Sequence, residues 1–240
     1  MHESFNPKEN ETPNLKVDNI SVYGIDQTRI ASGFPMLTEY DTMEFLDALN
    51  DRDAQMKADA RLHRLAACKG GESHDCALCG IVAQFNLTAP RYFWQEWQRY
   101  HFADIISSMS TMHRIKSIIN RAQELRSKIK QMDDEYDVLY SEFLCKNFAT
   151  QTDVEMLEMF FDRASQNKNK LGVELDEDIK LEYIKANLPE GLKLTARITT
   201  NYRQLKTMYH QRHNHRLAEW RTFCNYYLKM FPQSDLIIGE

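Results

Sequence analysis

The sequence predicts an α+β fold, a small antiparallel β-sheet surrounded by long helices, and three observations carry that expectation. Eight glycines and six prolines in 240 residues are too few for a turn-rich, all-β chain. Three short segments alternate in polarity or carry β-branched residues: Val17–Gly24 (VDNISVYG), Ile81–Leu87 (IVAQFNL) and Leu192–Thr199 (LKLTARIT). Most of what lies between them shows apolar residues at three-to-four spacing, the period of a helix with one buried face. A few strands set among many helices give segregated layers, not a parallel α/β sheet.

In chain order, residues 1–14 (MHESFNPKENETPN) are polar, so a loose N-terminal arm is expected ahead of one domain over 15–240. Gly33-Phe34-Pro35 marks a loop. From Thr38 to about Ala67, Phe45, Leu46, Leu49, Met56, Leu62 and Leu65 form a helical stripe with a break near Asn50-Asp51. Lys69-Gly70-Gly71 ends it, His74 to Cys79 reads as a short helix, and Pro90 suits the first turn of another. Thr111 to about Phe148 reads as one long helix, with Ile115, Ile118, Ile119, Ala122, Leu125, Ile129 and Met132 on its apolar face. Thr152–Ala164 and Asp176–Ala186 follow as helices joined by a polar linker, 165–170. Leu188 to Gly191 is a turn, and Asn201 to about Phe231 reads as one terminal helix.

The net charge of −5 is too mild to imply a nucleic-acid or membrane partner. It hides an asymmetry. Residues 131–185 carry fourteen acids against six bases, whereas 193–221 carry seven Lys/Arg and three His against Glu219 alone. Five cysteines, an odd number, suit free thiols in a reducing, cytoplasmic setting. No apolar run approaches the roughly eighteen residues that a membrane span needs.

Three constellations could carry chemistry. Pro90 to Ile115 (PRYFWQEWQRYHFADIISSMSTMHRI) packs aromatics, then Arg99 and His101, then the hydroxyls of Ser107, Ser108, Ser110 and Thr111, a mixture suited to a flat, anionic ligand. The plainer alternative is the end of an amphipathic helix capped by Ser/Thr. The C-terminal segment Asn201 to Arg221 is cationic, and helical geometry sets Arg203 nearly opposite Arg212, with Arg212, His215 and Arg216 crowded on one side. Cations so close repel one another unless an anion such as phosphate, or Glu219, neutralises them. Cys68, His74, Cys76 and Cys79 are zinc-competent, but without a second CxxC pair buried free thiols are the simpler expectation and no metal is expected. No P-loop, Rossmann glycine pattern, G-x-S-x-G elbow or HExxH occurs.

Two blocks then resemble the flavin-dependent thymidylate synthases, the ThyX family. One is His74-Asp75-x4-Gly80-Ile81-Val82-x2-Phe85-x3-Ala89-Pro90-x6-Trp97-x-Arg99, and the other is Leu188-Pro189 followed by Asn201-x-Arg203-x8-Arg212. The similarity covers roughly 72–114 and 185–221, about a third of the chain.

The resemblance implies a ThyX-like fold and the reductive methylation of dUMP, or a related pyrimidine nucleotide, to dTMP. It implies FAD as cofactor, NADPH and methylenetetrahydrofolate as cosubstrates, and a homotetramer whose sites lie between subunits. His74, Arg99, His101, Asn201 and Arg203 fall on the flavin side. Arg212 falls on the arginine that contacts the uracil ring, Lys185 replaces a nucleotide-binding arginine, and Glu96 stands where a nucleotide-contacting glutamine is usual. Ser110, with one inserted residue, matches the signature serine, and Arg114 stands in for the arginine after it. Arg212 and Ser110 are therefore the expected catalytic pair. The family's Arg-His-Arg reads Arg99-Tyr100-His101 here, which motivates a second expectation: a nucleotide-binding protein of the same fold with lost or altered catalysis.

Overall fold

Four strands, β1 (Lys16–Tyr23), β2 (Val82–Pro90), β3 (Ala103–Ser108) and β4 (Lys193–Asn201), pair antiparallel in the order β1-β2-β4-β3. The computed structural model describes residues 12, 14–69, 74–129, 134–166 and 177–239. The alternation read from β2 is exact in its packing: Ala83, Phe85, Leu87 and Ala89 are fully buried, while Gln84, Asn86 and Thr88 are half-exposed on the other face. One covered face and one polar face is the usual compromise of an antiparallel sheet. The β2–β4 register runs unbroken from Val82↔Asn201 to Pro90↔Lys193, so these strands form a central ruler about 27 Å long.

β3 is the strand that the sequence pattern does not reveal. Only Ala103 of its six residues is buried; it is an edge strand, with Ile106 bulged between Ile105↔Ile198 and Ser107↔Arg197. Ser107 and Ser108 thus sit on a strand end, not on a helix cap.

The helices are α1 (Ile25–Ala31), α2 (Thr42–Asn50), α3 (Arg52–Ala66), α4 (Arg91–Trp97), α5 (Thr111–Ile129), α6 (Asp134–Asn147), α7 (Gln151–Gln166), α8 (Glu177–Ala186), α9 (Tyr202–Arg212), α10 (Ala218–Asn225) and α11 (Asp235–Ile238). Short 3-10 segments cover Phe34–Met36, where a loop is expected, His74–Gly80 and Tyr227–Met230. The break near Asn50-Asp51 has a clear cause, since the Asp51 carboxylate accepts from the N–H groups of Asp53 and Ala54 and caps α3.

Two expected helices are divided. Over Thr111–Phe148 the described residues form α5 to Ile129 and α6 from Asp134. Met132 and its neighbours 130–133 lie outside the described residues; Ile115, Ile118, Ile119, Ala122 and Leu125 are buried as expected. Asn201–Phe231 is α9, a turn, α10 and a 3-10 segment. Side chain-to-backbone bonds compete with the helix at that turn: Leu217 N–H donates to His215 Nδ1 (3.2 Å), and Asn225 Nδ2 donates to the His213 carbonyl (3.0 Å).

The larger core packs the inner sheet face against α4, α9 and α10, with Trp97 and Trp220 stacked at 5.8 Å. A smaller one joins α5, α7 and α8 through Ile119, Val154, Leu157 and Ile184. Of the expected arm, residues 1–11 and 13 lie outside the described residues. Thr12 is buried, its N–H donating to Thr222 Oγ1 at 3.0 Å. Among the described residues no helix is long and apolar enough to cross a membrane.

Candidate functional site

The expected site residues gather at three places, two of them at opposite ends of α9. At its start Asn201 is the cap, its Oδ1 accepting from the Gln204 N–H (2.9 Å). The 3-10 segment His74–Gly80 docks here through Asp75, a carboxylate only 4% exposed. Arg203 Nε and Lys206 Nζ each donate to Asp75 at 3.1 Å, and Lys206 also reaches the Cys68 carbonyl (2.6 Å). Burial works against the Arg203 charge, but Asp75 and the sulfurs of Cys79 and Cys76 outweigh it and hold its pKa above the ordinary value. Gly24 makes the docking possible. It enters α1 with φ of 81°, and a Cβ there would lie 2.5 Å from the Gly80 carbonyl oxygen.

Between these elements lies an open cleft of about 400 Å³, lined by Asp75, Cys79, Phe102, Asn201, Arg203, Gln204 and Thr207. It pairs the positive end of a helix with a cation and an exposed aromatic ring, which suits a ligand with both phosphate and ring character. His74 is exposed on the same 3-10 segment and does not line the cleft. Among the described residues no group of three or more His, Cys, Asp or Glu side chains is placed to hold a metal ion.

At the far end of α9, about 14 Å along the axis, Arg212 is held on several sides. Its Nε donates to Tyr100 Oη (2.9 Å), and that hydroxyl donates to Gln211 Oε1 (3.0 Å). Its Nη1 lies 2.7 Å from His215 Nε2 and 3.3 Å from Glu96 Oε2. The guanidinium stacks over Trp220, 5.1 Å from the ring centre, and Trp220 Nε1 donates to Glu96 at 2.8 Å.

This corrects the expected charge balance. Glu96, not Glu219, neutralises the Arg212 group; Glu219 is buried and accepts from Tyr92 Oη (2.6 Å), and together with burial it pushes the Tyr92 pKa up. Arg216 is exposed, turned out by the break after α9. Arg99 and His101 are exposed on the five-residue loop 98–102 between α4 and β3.

The third place is the opposite end of the ruler. Ser110 is exposed in the loop between β3 and α5, where Met109 N–H donates to the Thr195 carbonyl. Arg114 is turned inward, its guanidinium donating to Asn147 Oδ1 (3.0 Å) and the Lys193 carbonyl (3.4 Å), and burial lowers its pKa. Lys185 is exposed on the last turn of α8, which leads through residues 188–191 into the same end of β4. Asp75, Lys206 and Trp220 are the supports that sequence reasoning left unassigned. Only Asp75 had a signal, its place beside His74 in the first ThyX-like block.

A family model described as thymidylate synthase complementing protein matches residues 36–234. The chain belongs to this family. Among solved structures it is similar to the flavin-dependent thymidylate synthase ThyX from Helicobacter pylori complexed with FAD and dUMP, with a TM-score of 0.63, 15% identity, and coverage of 95% of this chain and 98% of that one. A second structure of Helicobacter pylori thymidylate synthase X, with FAD and dUMP, gives a TM-score of 0.60 at 15% identity, covering 94% and 97%. No curated protein matches by sequence. At this identity the structures establish the α+β ThyX fold, and the family model establishes membership. Arg99-Tyr100-His101 lies on the 98–102 loop, where Tyr100 contributes its hydroxyl to Arg212.

Proposed function

We propose that this chain is a flavin-dependent thymidylate synthase, converting dUMP to dTMP with carbon from methylenetetrahydrofolate and electrons from NADPH through FAD. The observation that carries this is the cleft at the start of α9, where Asn201 and Arg203, two of the five residues expected on the flavin side, line one wall together, while His74, Arg99 and His101 do not line it. The residues fit the group in their chemistry. The helix start and Arg203 suit a diphosphate, and Phe102, 67% exposed, offers a ring for stacking. Bound flavin supplies a hydride carrier that side chains lack. The chain's own part is to bind and orient: Asp75 fixes Arg203, and Arg212 presents donors where negative charge develops on the pyrimidine. Ser110 and Lys185 hold the phosphate, while Arg114, turned inward on Asn147 and the Lys193 carbonyl, braces the same end of β4.

Those last three flank the beginning of β4, about 27 Å along the strand from Asn201. In one copy the flavin cleft and this phosphate group therefore lie at opposite ends of β4. The separation supports a homotetramer in which each site takes its cleft and its phosphate group from different copies. The test is direct: purified protein should be yellow, run as four copies by light scattering, and release tritium from C5-labelled dUMP anaerobically only with methylenetetrahydrofolate present.

One observation favours the second reading, a family member with altered catalysis. Tyr100 stands where ThyX has its signature histidine, and its hydroxyl is committed to Arg212 and Gln211. A colourless preparation that binds dUMP and cannot be reconstituted with FAD would establish that reading instead.

A further inference from the structure

Cys76 and Cys79 stand between Asp75 and Gly80, at positions to which the ThyX resemblance gives no role. They are not the buried thiols expected from sequence: both are exposed free cysteines on the 3-10 segment His74–Gly80. Three residues make one turn of a 3-10 helix, so the two side chains project from the same face. The rise of about 2 Å per residue sets their Cα atoms about 6 Å apart, inside the range of roughly 4.4–6.8 Å that a disulfide spans. Cys79 also lines the cleft at the start of α9, where Arg203 hydrogen-bonds to its sulfur and the Cys76 sulfur lies near enough to act on the same charge. The other thiols lack this setting. Cys224 is fully buried, and Cys68 is half-buried, its Sγ donating to the Arg64 carbonyl (3.5 Å). Cys145 is exposed on α6, its carbonyl accepting from Lys193 Nζ (2.7 Å) at the opposite end of β4.

We propose that Cys76 and Cys79 form a reversible dithiol–disulfide pair that controls the Arg203 wall of the cleft. The oxidant is a low-molecular-weight disulfide. The Cys79 thiolate attacks one of its sulfurs, forming a mixed disulfide and releasing one small thiolate. The Cys76 thiolate then attacks the Cys79 sulfur, closing the Cys76–Cys79 bond and releasing the second. Two protein thiols thus lose two electrons and two protons, and the small disulfide takes up both as two thiols. In the reduced state a sulfur able to carry negative charge competes with an anionic ligand for Arg203. The disulfide carries no charge and is drawn toward Cys76, so oxidation frees a guanidinium donor. In a reducing compartment such a bond is transient and regulatory.

The experiment equilibrates the full chain in glutathione buffers of rising oxidised-to-reduced ratio, then blocks free thiols and weighs the peptides. The peptide holding Cys76 and Cys79 should lose two hydrogens, and regain them on return to reduced glutathione. Cys76→Ser should stop at a glutathione adduct on Cys79, whereas Cys68→Ser and Cys145→Ser should leave the pair unchanged. No internal bond, or a bond from either cysteine to Cys68, overturns the proposal. Oxidation should also shift the Arg203 Nε–H resonance of the ligand-free protein, and an unmoved resonance overturns control of the cleft. Resting on the flavin reading above, the oxidised chain should bind FAD about fivefold or more tightly than the reduced one, and FAD should favour the disulfide by the same factor. Equal FAD affinity in the two states overturns that coupling. Binding of FAD in neither state removes the flavin reading and leaves the pair standing.

Discussion

At the residue scale, Arg212 shows how far a side chain's neighbours revise what its type suggests. As an exposed cation on a helix it would be dispensable to stability. Stacked on Trp220 and paired with Glu96, it is not: Arg212→Ala should cost about 1–3 kcal/mol of stability as well as dUMP affinity, because Glu96 loses its charged partner. Chemical denaturation compares the two directly, and an unchanged unfolding midpoint would show that the stack contributes nothing. His63 offers a second residue-level test. Burial works to lower its pKa, but the Asp59 carbonyl and the Asp235 carboxylate outweigh it and raise the pKa above the usual histidine value. A raised pKa means that the contribution is fully present below about pH 6.5 and is lost as pH rises through the folded value. The melting-temperature gap between wild type and His63→Gln should therefore shrink from about pH 6 to pH 8. A constant gap would rule out the α3–α11 tie as the cause.

At the scale of elements, β2 and β4 were legible because one face is buried, so Phe85, Leu87, Ala196 and Ile198 fall at every second position. β3 was not, because an edge strand with one buried residue carries no period to read. The division of the terminal helix was equally hidden, since His215 and Asn225 end it through bonds that only the folded turn allows. The docking of the 3-10 segment on α9 depends on one acid. Asp75→Asn leaves the buried Lys206 ammonium without its counter-charge and should cost about 1–3 kcal/mol, while loosening Arg203 and any flavin affinity with it. Loss of stability with flavin affinity unchanged would separate the two roles. In the smaller core, Arg126 bridges α5 to Glu158 of α7 and donates to Tyr140 of α6 (2.7 Å). Arg126→Ala should destabilise by about 1–3 kcal/mol, read from urea unfolding, with nucleotide binding untouched.

At the scale of the whole molecule, the fold class followed from periodicity, but the partnerships that make the site did not. Glu96 and Arg212 are 116 residues apart, and nothing in either segment's spacing pairs them. The resemblance to ThyX pointed to two segments; the chain's own packing decides which of their residues face open space and which are committed inward, as Arg114 is. The spread of site residues along the central strands also sets a condition on assembly. For the proposed homotetramer, dilution to single copies should abolish activity while each copy keeps its fold, measured by turnover and circular dichroism over the same concentration range.

The loop 98–102 has a thermodynamic consequence. It gives Tyr100, its central residue, to Arg212 and Phe102, its last, to the cleft, where Thr200 Oγ1 donates to the Phe102 carbonyl at 2.7 Å. A ligand that orders Phe102 immobilises the same few residues that orient the guanidinium, so the conformational entropy of this loop is spent once for two binding events. Cofactor and nucleotide should then bind with positive cooperativity, and linkage requires the factor to be identical in both directions. Flavin titrated with and without saturating dUMP, and dUMP with and without flavin, should return one coupling constant, and Tyr100→Phe should reduce it from both sides equally.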